Sequence, residues 1–190
     1  MAACLHQAIL DVLPQRQDYY EEWLRPDGLH EGKIGLGPIT AVISFLRTER
    51  EYDRVMARAG HLAAEWTVDS LPSMRRKVTQ ALPRWLRVRA AARISAEIVR
   101  DVLSTSAAST RVRRKQIQLD VTDSLFCSVR DRQAVPLCAF YAAVTSGVLE
   151  RLGLPGHARI DRCRAIEGGT CRIVTDVSAA APAADPAKAA

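Results

Sequence analysis

Three cysteines and one aspartate in the last third of the chain are residue types that can bind a metal ion. They are Cys138, Asp161, Cys163 and Cys171. Zn²⁺ prefers four ligands in a tetrahedral array, and it favours thiolates while tolerating a carboxylate. Asp161 and Cys163 are two residues apart on a predicted strand, so their side chains point to the same face. The set therefore indicates a zinc site, and the alternative is that the thiols are small buried apolar groups.

A predicted helix positions the first of these cysteines. Pro136 can occupy the first turn of a helix, because its fixed φ is already helical and its missing N–H has no partner there. Cys138 then stands in that first turn, where the helix dipole favours the thiolate over the thiol.

A predicted hairpin positions the other two cysteines. Its strands cover residues 158–165 and 171–177, and they are joined through Gly168 and Gly169. A two-residue turn would place Cys163 and Cys171 on opposite faces, whereas a loop with an odd number of residues places them on one face. A metal site therefore predicts a loop of three or five residues.

Three further residues carry side chains that can bind a metal ion. His157 is a spare candidate, but a histidine at the edge of a loop is more often a surface residue. Cys127 falls on a different predicted strand, residues 125–129, and Cys4 is far away in sequence. Both are predicted to be structural.

The composition bounds the fold and the partners. The chain has 190 residues, enough for one domain with a core, and its 5% aromatic content favours helices over an all-β sandwich. The net charge of +6 permits weak attraction to nucleic acid, anionic lipid or an acidic small molecule. No zinc-finger spacing, recognition helix or aromatic RNA-binding motif accompanies that charge, so we predict no nucleic-acid partner.

The sequence also suggests a compartment. It contains no run of about 18 apolar residues, so no transmembrane segment is predicted. No basic segment followed by an apolar one begins the chain, which argues against a cleaved signal. We therefore expect a cytoplasmic protein whose five cysteines are free or metal-bound.

Hydrophobic periodicity predicts a helical first half. Apolar residues at helical spacing predict helices over residues 3–13, 18–24, 49–68 and 84–103, with two more beginning at Pro38 and after Pro72. Gly60 lowers helix propensity by about 1 kcal/mol relative to Ala, so close helix packing is expected there. The alternative is a ligand lying against the bare backbone.

The period changes after this helical half. Residues 104–110 are small and polar and are predicted to be a linker. Residues 116–121 alternate strictly, which predicts a half-buried strand with Ile117, Leu119 and Val121 inward. Residues 178–190 are rich in Ala and Pro and predict a disordered tail.

Four segments together resemble one known family. They are Asp123–Phe126, Pro136–Val144, Leu149–Leu152 and Cys163–Val174, in which one cysteine, two glycines and a second cysteine precede an apolar strand. Over residues 116–177 the chain is similar to the 4-vinyl reductase domain family, and the similarity extends more loosely to residue 38.

The resemblance implies an α+β fold like that of transport-protein-particle subunits, with helices packed on a small antiparallel sheet around an apolar pocket. Some relatives hold zinc with a matching set, which implies Cys138, Cys163 and Cys171 as ligands and Asp161 as the carboxylate. The implied organisation is a helical N-terminal extension (residues 1–37), the family domain (38–177) and the tail (178–190).

Binding is predicted rather than catalysis. The chain has no G-x-G-x-x-G opening a βαβ unit, no flavin motif and no credible catalytic triad, so no nucleotide cofactor is expected. The resemblance implies that the chain binds or carries a divinyl tetrapyrrole intermediate of (bacterio)chlorophyll synthesis. Each candidate pocket residue has core packing as its alternative, and the set is Ile39, Val42, Ile43, Met56, His61, Trp66, Trp85, Val88 and Tyr141.

Two alternatives remain open at this point. One is a sensor of aromatic molecules or hydrocarbons, or a scaffold, that acts through a partner protein. The other is a genuine 4-vinyl reductase that takes its electrons from an external donor. Pigment-synthesis enzymes are candidate partners, and the N-terminal helices are a candidate surface for a homodimer.

Overall fold

The computed structural model describes residues 1–21, 23–24, 36–102, 107–113 and 116–177. In chain order the helices are α1 (Ala2–Val12), α2 (Gln17–Glu21), α3 (Leu36–Leu46), α4 (Tyr52–Ser70), α5 (Ser73–Ala81), α6 (Arg84–Val102), α7 (Ala139–Arg151) and α8 (Arg164–Glu167). A 3₁₀ turn covers Pro14–Arg16, and the strands are β1 (Ala108–Arg113), β2 (Gln116–Val121), β3 (His157–Arg162) and β4 (Cys171–Asp176).

The strands form one antiparallel sheet in the order β1-β2-β4-β3. The last of the described strands, β4, is therefore an inner strand between β2 and β3. Helices α6 and α7 pack against the sheet, and α4 packs against α7. This confirms the predicted α+β class of helices packed on a small antiparallel sheet.

Alternation along β2 matches the prediction. Ile117, Leu119 and Val121 are buried, while Gln118 and Asp120 between them are partly exposed. The predicted linker is wrong over residues 108–110, because these residues begin β1 and Ala108 pairs with Val121. Small polar side chains such as Ser109 are tolerated there because β1 is an outer strand with one face open to solvent.

Helices α4 and α7 approach closely because each carries a glycine at the contact. A Cβ atom on Gly60 would lie 2.4 Å from the carbonyl oxygen of Phe140, and one on Gly147 would lie 2.9 Å from Cβ of Ala64. Both distances are below what real side chains adopt. The close helix packing predicted at Gly60 is therefore confirmed.

Helix α1 belongs to the same apolar core. Leu5, Ala8 and Ile9 are buried, and the helix packs against α4. Residues 25–35 and the predicted tail, residues 178–190, lie outside the described residues. Within the described ranges no helix has the length and apolar character needed to cross a membrane.

Two local predictions in the second half are wrong. Residues 125–129 form turns and irregular backbone instead of a strand. The predicted strand 158–165 ends at Arg162, and the helix α8 occupies the connection before β4. Residues 163–170 therefore separate the two strands, which is neither a three-residue nor a five-residue loop.

Candidate metal centre and flanking cavities

Four buried cysteine side chains converge on one point. They are Cys127, Cys138, Cys163 and Cys171, and their sulfur atoms all lie within 4.8 Å of one another. Cys127 Sγ lies 3.5 Å from Cys163 Sγ and 3.4 Å from Cys171 Sγ, and all four residues are free cysteines. Four sulfurs bonded to one zinc ion at about 2.3 Å would lie about 3.8 Å apart, so the cluster has the scale of a tetrathiolate site.

Each sulfur comes from a different segment of the chain. Cys138 immediately precedes α7, and Cys163 immediately precedes the short helix α8. Cys171 is the first residue of β4, and Cys127 lies in the turns that follow β2. The cluster thus joins the start of β4, an inner strand of the sheet, to the start of α7, which packs on the sheet.

The fourth member of the cluster differs from the prediction. Cys127, predicted to be structural, takes the place expected for Asp161. A β-bulge between Ile160 and Arg162 breaks the alternation on which the prediction relied. The Asp161 carboxylate is instead partly exposed and lies 3.8 Å from the guanidinium of Arg159.

The electrostatics of the cluster favour thiolate at two of the four sulfurs. The backbone N–H of Leu137 donates to Cys163 Sγ at 3.4 Å, and that of Arg164 donates to Cys171 Sγ at 3.5 Å. Hydrogen bonds with the Cys127 and Cys138 thiols lower the pKa of both Cys163 and Cys171. Hydrogen bonds with Cys127, Cys163 and Cys171, together with burial, raise the pKa of Cys138. A cation with affinity for sulfur would displace the remaining thiol protons.

Polar contacts hold the segment that carries Cys127. Ser124 Oγ accepts hydrogen bonds from the Tyr141 hydroxyl at 3.1 Å and from the Cys127 backbone N–H at 3.3 Å. The Arg47 guanidinium donates to the Phe126 carbonyl oxygen at 2.8 Å. The turn after α3 and the helix α7 therefore position a loop that has no regular structure of its own.

Two open cavities flank the first turns of α7. Residues 139, 142 and 143 share one side of a helix, while residue 140 points to another side. Phe140 borders a cavity of about 280 Å³ between α1, α4, α6 and α7, which we call the N-terminal cavity. Ala139, Ala142 and Ala143 border one of about 230 Å³ between α4, α7 and β3, which we call the alanine cavity.

The two cavities differ in chemistry. The alanine cavity is lined almost wholly by apolar surface, and His61 and His157 supply its imidazoles. Burial lowers the pKa of His61, so its ring is neutral at pH 7. The N-terminal cavity is lined by two aromatic residues, Trp66 and Phe140, and by one acidic residue, Asp101.

The residues predicted to line one pocket are dispersed. Trp66 borders the N-terminal cavity and His61 borders the alanine cavity. Trp85 is exposed, with the Arg89 guanidinium 5.1 Å from its ring centroid. The remaining six are buried in the continuous apolar core, and they are Ile39, Val42, Ile43, Met56, Val88 and Tyr141.

The fold and the cluster define an α+β domain with a buried four-thiol centre, and comparison with known proteins bears on the fold. No protein-family model and no curated protein matches the chain. Among solved structures, 14 chains match. One is the phenol-responsive sensory domain of the transcription activator PoxR with phenol, at 11% identity and a TM-score of 0.53. The match covers 73% of this chain and 72% of that one, so the two share a fold.

Proposed function

We propose that this chain is a small-molecule-binding sensory domain whose binding region is fixed by a structural zinc ion. The observation that carries the proposal is the convergence of four thiols at Cys138, immediately before the turn of α7 that borders both cavities. The shared fold with a phenol-responsive sensory domain supports the sensor role over catalysis.

The donor set fits zinc. Cys127, Cys138, Cys163 and Cys171 would hold the ion, and thiolates are favoured zinc ligands. Zinc held by four protein ligands has no open position for water, so its contribution would be to fold and fix the segments rather than to catalyse. The backbone N–H groups of Leu137 and Arg164 point at two of the sulfurs, as the outer hydrogen bonds of a metal site do.

The effector site in this proposal is the alanine cavity. Short alanine side chains leave space against the backbone of α7, and the neutral imidazole of His61 can accept a hydrogen bond from a hydroxyl group. Pockets for drug-sized ligands measure about 300–1,000 Å³, so a cavity of about 230 Å³ suits a single ring. We infer that the effector is a neutral, hydroxylated single-ring aromatic molecule.

The output of such a domain passes through a partner protein. A ligand against Ala139 and Ala142 contacts the turn that follows Cys138, so ligand contacts and metal contacts act on the same turn. The resemblance to the 4-vinyl reductase domain family supports a second role, in which the chain carries a divinyl tetrapyrrole for a pigment-synthesis enzyme. A four-ring macrocycle is too large for cavities of about 280 Å³ and 230 Å³, so we rank this role second.

Metal analysis and calorimetric titration test the proposal together. We expect one zinc ion per chain, saturable binding of a phenol, and loss of that binding in Ala142→Phe, which fills the alanine cavity. Ala90→Phe is the matched control, because Ala90 is a half-exposed helical alanine outside both cavities. Binding of a divinyl chlorophyllide-type pigment without phenol binding would favour the carrier role, and binding of neither would overturn the proposal.

A further inference from the structure

The N-terminal cavity has features of a binding site for a charged molecule. Its lining residues include the aromatic Trp66 and Phe140 and the aliphatic Ile98 and Val102. Trp66 is 41% exposed although it is a large apolar side chain, so its ring is available to a ligand. An indole face attracts cations more strongly than the other aromatic side chains do.

Asp101 is the only charged side chain among the described residues that line this cavity. It lies in the last turn of α6 and is exposed, and it forms no ion pair with any residue in the described ranges. Arg100 beside it does not neutralise it, because the Arg100 guanidinium donates to the carbonyl oxygen of Ala108 at 3.0 Å.

Helix dipoles do not change the sign of the electrostatic potential in this cavity. The negative carboxyl ends of α4 and α6 border it, and so do the positive amino ends of α1 and α7. Each end carries about half an elementary charge, so the four contributions offset one another. Met1 also lines the cavity. Asp101 therefore forms no ion pair in the described part of the chain, and this exposed residue lines the same cavity as Trp66 and Phe140.

We propose that the N-terminal cavity is a second binding site, specific for a compact organic cation that carries one aromatic or aliphatic ring. Its ammonium group contacts the Asp101 carboxylate and the Trp66 ring, while its ring packs on Ile98 and Val102. A volume of about 280 Å³ accommodates one ring with a short amine arm. The carboxylate and the indole together distinguish an amine from a neutral or anionic analogue of the same size.

This site is separate from the effector site proposed above. The two cavities lie on different sides of α7, with Phe140 at one and Ala139 at the other. Both occupants would nevertheless contact the turn next to Cys138, so the two ligands would act on the same helix, α7. The second site would stand even if no phenol bound the alanine cavity.

Calorimetric titration of the full chain with three ligands tests the inference. The ligands are 2-phenylethylamine, 2-phenylethanol and phenylacetate, which share one ring and differ in charge. We expect the amine to bind about tenfold more tightly than the alcohol and the acid not to bind, because an ion pair at a partly exposed site and a cation–π contact each contribute a few-fold. Asp101→Asn should reduce the preference of the protein for the amine over the alcohol about fivefold.

Two matched variants locate the site. Glu97→Gln removes a carboxylate one turn earlier on α6, outside the cavity, and should leave amine binding unchanged. Ala142→Phe fills the alanine cavity and should also leave it unchanged. The inference is overturned if the alcohol binds as tightly as the amine, if Asp101→Asn has no effect, or if Ala142→Phe abolishes amine binding. Phenol binding by the native chain in any of these cases leaves the proposed function standing.

Discussion

The hydroxyl of Tyr52 donates a hydrogen bond of 3.0 Å to the carbonyl oxygen of Leu137, the residue before Cys138. Both residues are buried, and burial raises the pKa of Tyr52, so the hydroxyl stays protonated as a donor. The backbone N–H of the same Leu137 donates to Cys163 Sγ. The first turn of α4 thus fixes the peptide that leads into the sulfur cluster.

Removing this hydroxyl should loosen the cluster. Tyr52→Phe leaves the buried Leu137 carbonyl oxygen without this donor, which should lower the free energy of unfolding by about 1–3 kcal/mol. Zinc affinity should fall as well, because Leu137 precedes one ligand and donates to another. Chemical denaturation and competition with a chromophoric chelator measure the two effects. Tyr19→Phe is the control, because Tyr19 is exposed and its ring contacts are kept.

The identity of the fourth ligand separates two variants. Cys127→Ser should abolish stoichiometric zinc binding, whereas Asp161→Asn should leave it intact, because only Cys127 belongs to the cluster. Cys4→Ser controls for loss of a buried thiol outside the cluster. The measurement is metal content after dialysis, and zinc retained by Cys127→Ser but lost by Asp161→Asn would refute this assignment.

Chelation should act on the whole domain if the cluster holds zinc. A structural metal contributes its binding free energy to folding, so a strong chelator should lower the melting temperature. Cys138→Ser should melt at a lower temperature than the native chain and should not respond to the chelator. An unchanged melting temperature for the chelated native chain would show that the thiols are ordinary core residues.

The close contact between α4 and α7 gives a paired test of packing. Gly60→Ala places a methyl group against the Phe140 carbonyl oxygen, a backbone atom that cannot move alone, so stability should fall by about 1–3 kcal/mol. Gly37→Ala meets no atom within 4 Å and lies in α3, so stability should stay the same or rise by up to about 1 kcal/mol. Equal effects of the two substitutions would contradict the close approach.

The buried imidazole of His61 predicts a dependence of stability on pH. Burial lowers its pKa from 6.5, an effect that Arg58 and His157 reinforce and Glu150 opposes. The unfolded chain therefore binds the proton more readily, so the free energy of unfolding should fall as the pH drops below 6.5. His61→Gln should flatten this slope relative to the native chain. Denaturation curves of both proteins on either side of that pH measure the difference, and parallel slopes would contradict the assignment.

Local patterns predicted those parts of the fold that depend on neighbours in sequence. The alternation of Ile117, Leu119 and Val121 specified β2, and the low helix propensity of Gly60 indicated a close contact. Both signals reflect a physical requirement that acts within one element. The pairing order of the sheet is not determined within one element, because β4 pairs with β2, which lies about 50 residues earlier in the chain.

The site was predicted in part for the same reason. Cys138, Cys163 and Cys171 stand beside helix and strand boundaries that the sequence marks, so their approach could be inferred. Cys127 lies in an irregular segment whose position depends on contacts with Ser124, Tyr141 and Arg47. Hydrophobic periodicity in the sequence does not reveal contacts of this kind. Asp161 was misplaced because alternation assumes an unbroken strand, and a bulge interrupts β3 at that residue.

The inner position of β4 has a consequence for the order of events during synthesis. β2 and β3 flank a strand that is made after both of them, so neither can complete its pairing with β4 until residue 176 has emerged from the ribosome. Cys171 arrives with that strand, so the sheet and the sulfur cluster must close in the same late step. Until then the nascent chain presents an unpaired strand edge, and we expect ribosome-bound chains stalled before residue 171 to remain sensitive to protease and to depend on chaperones.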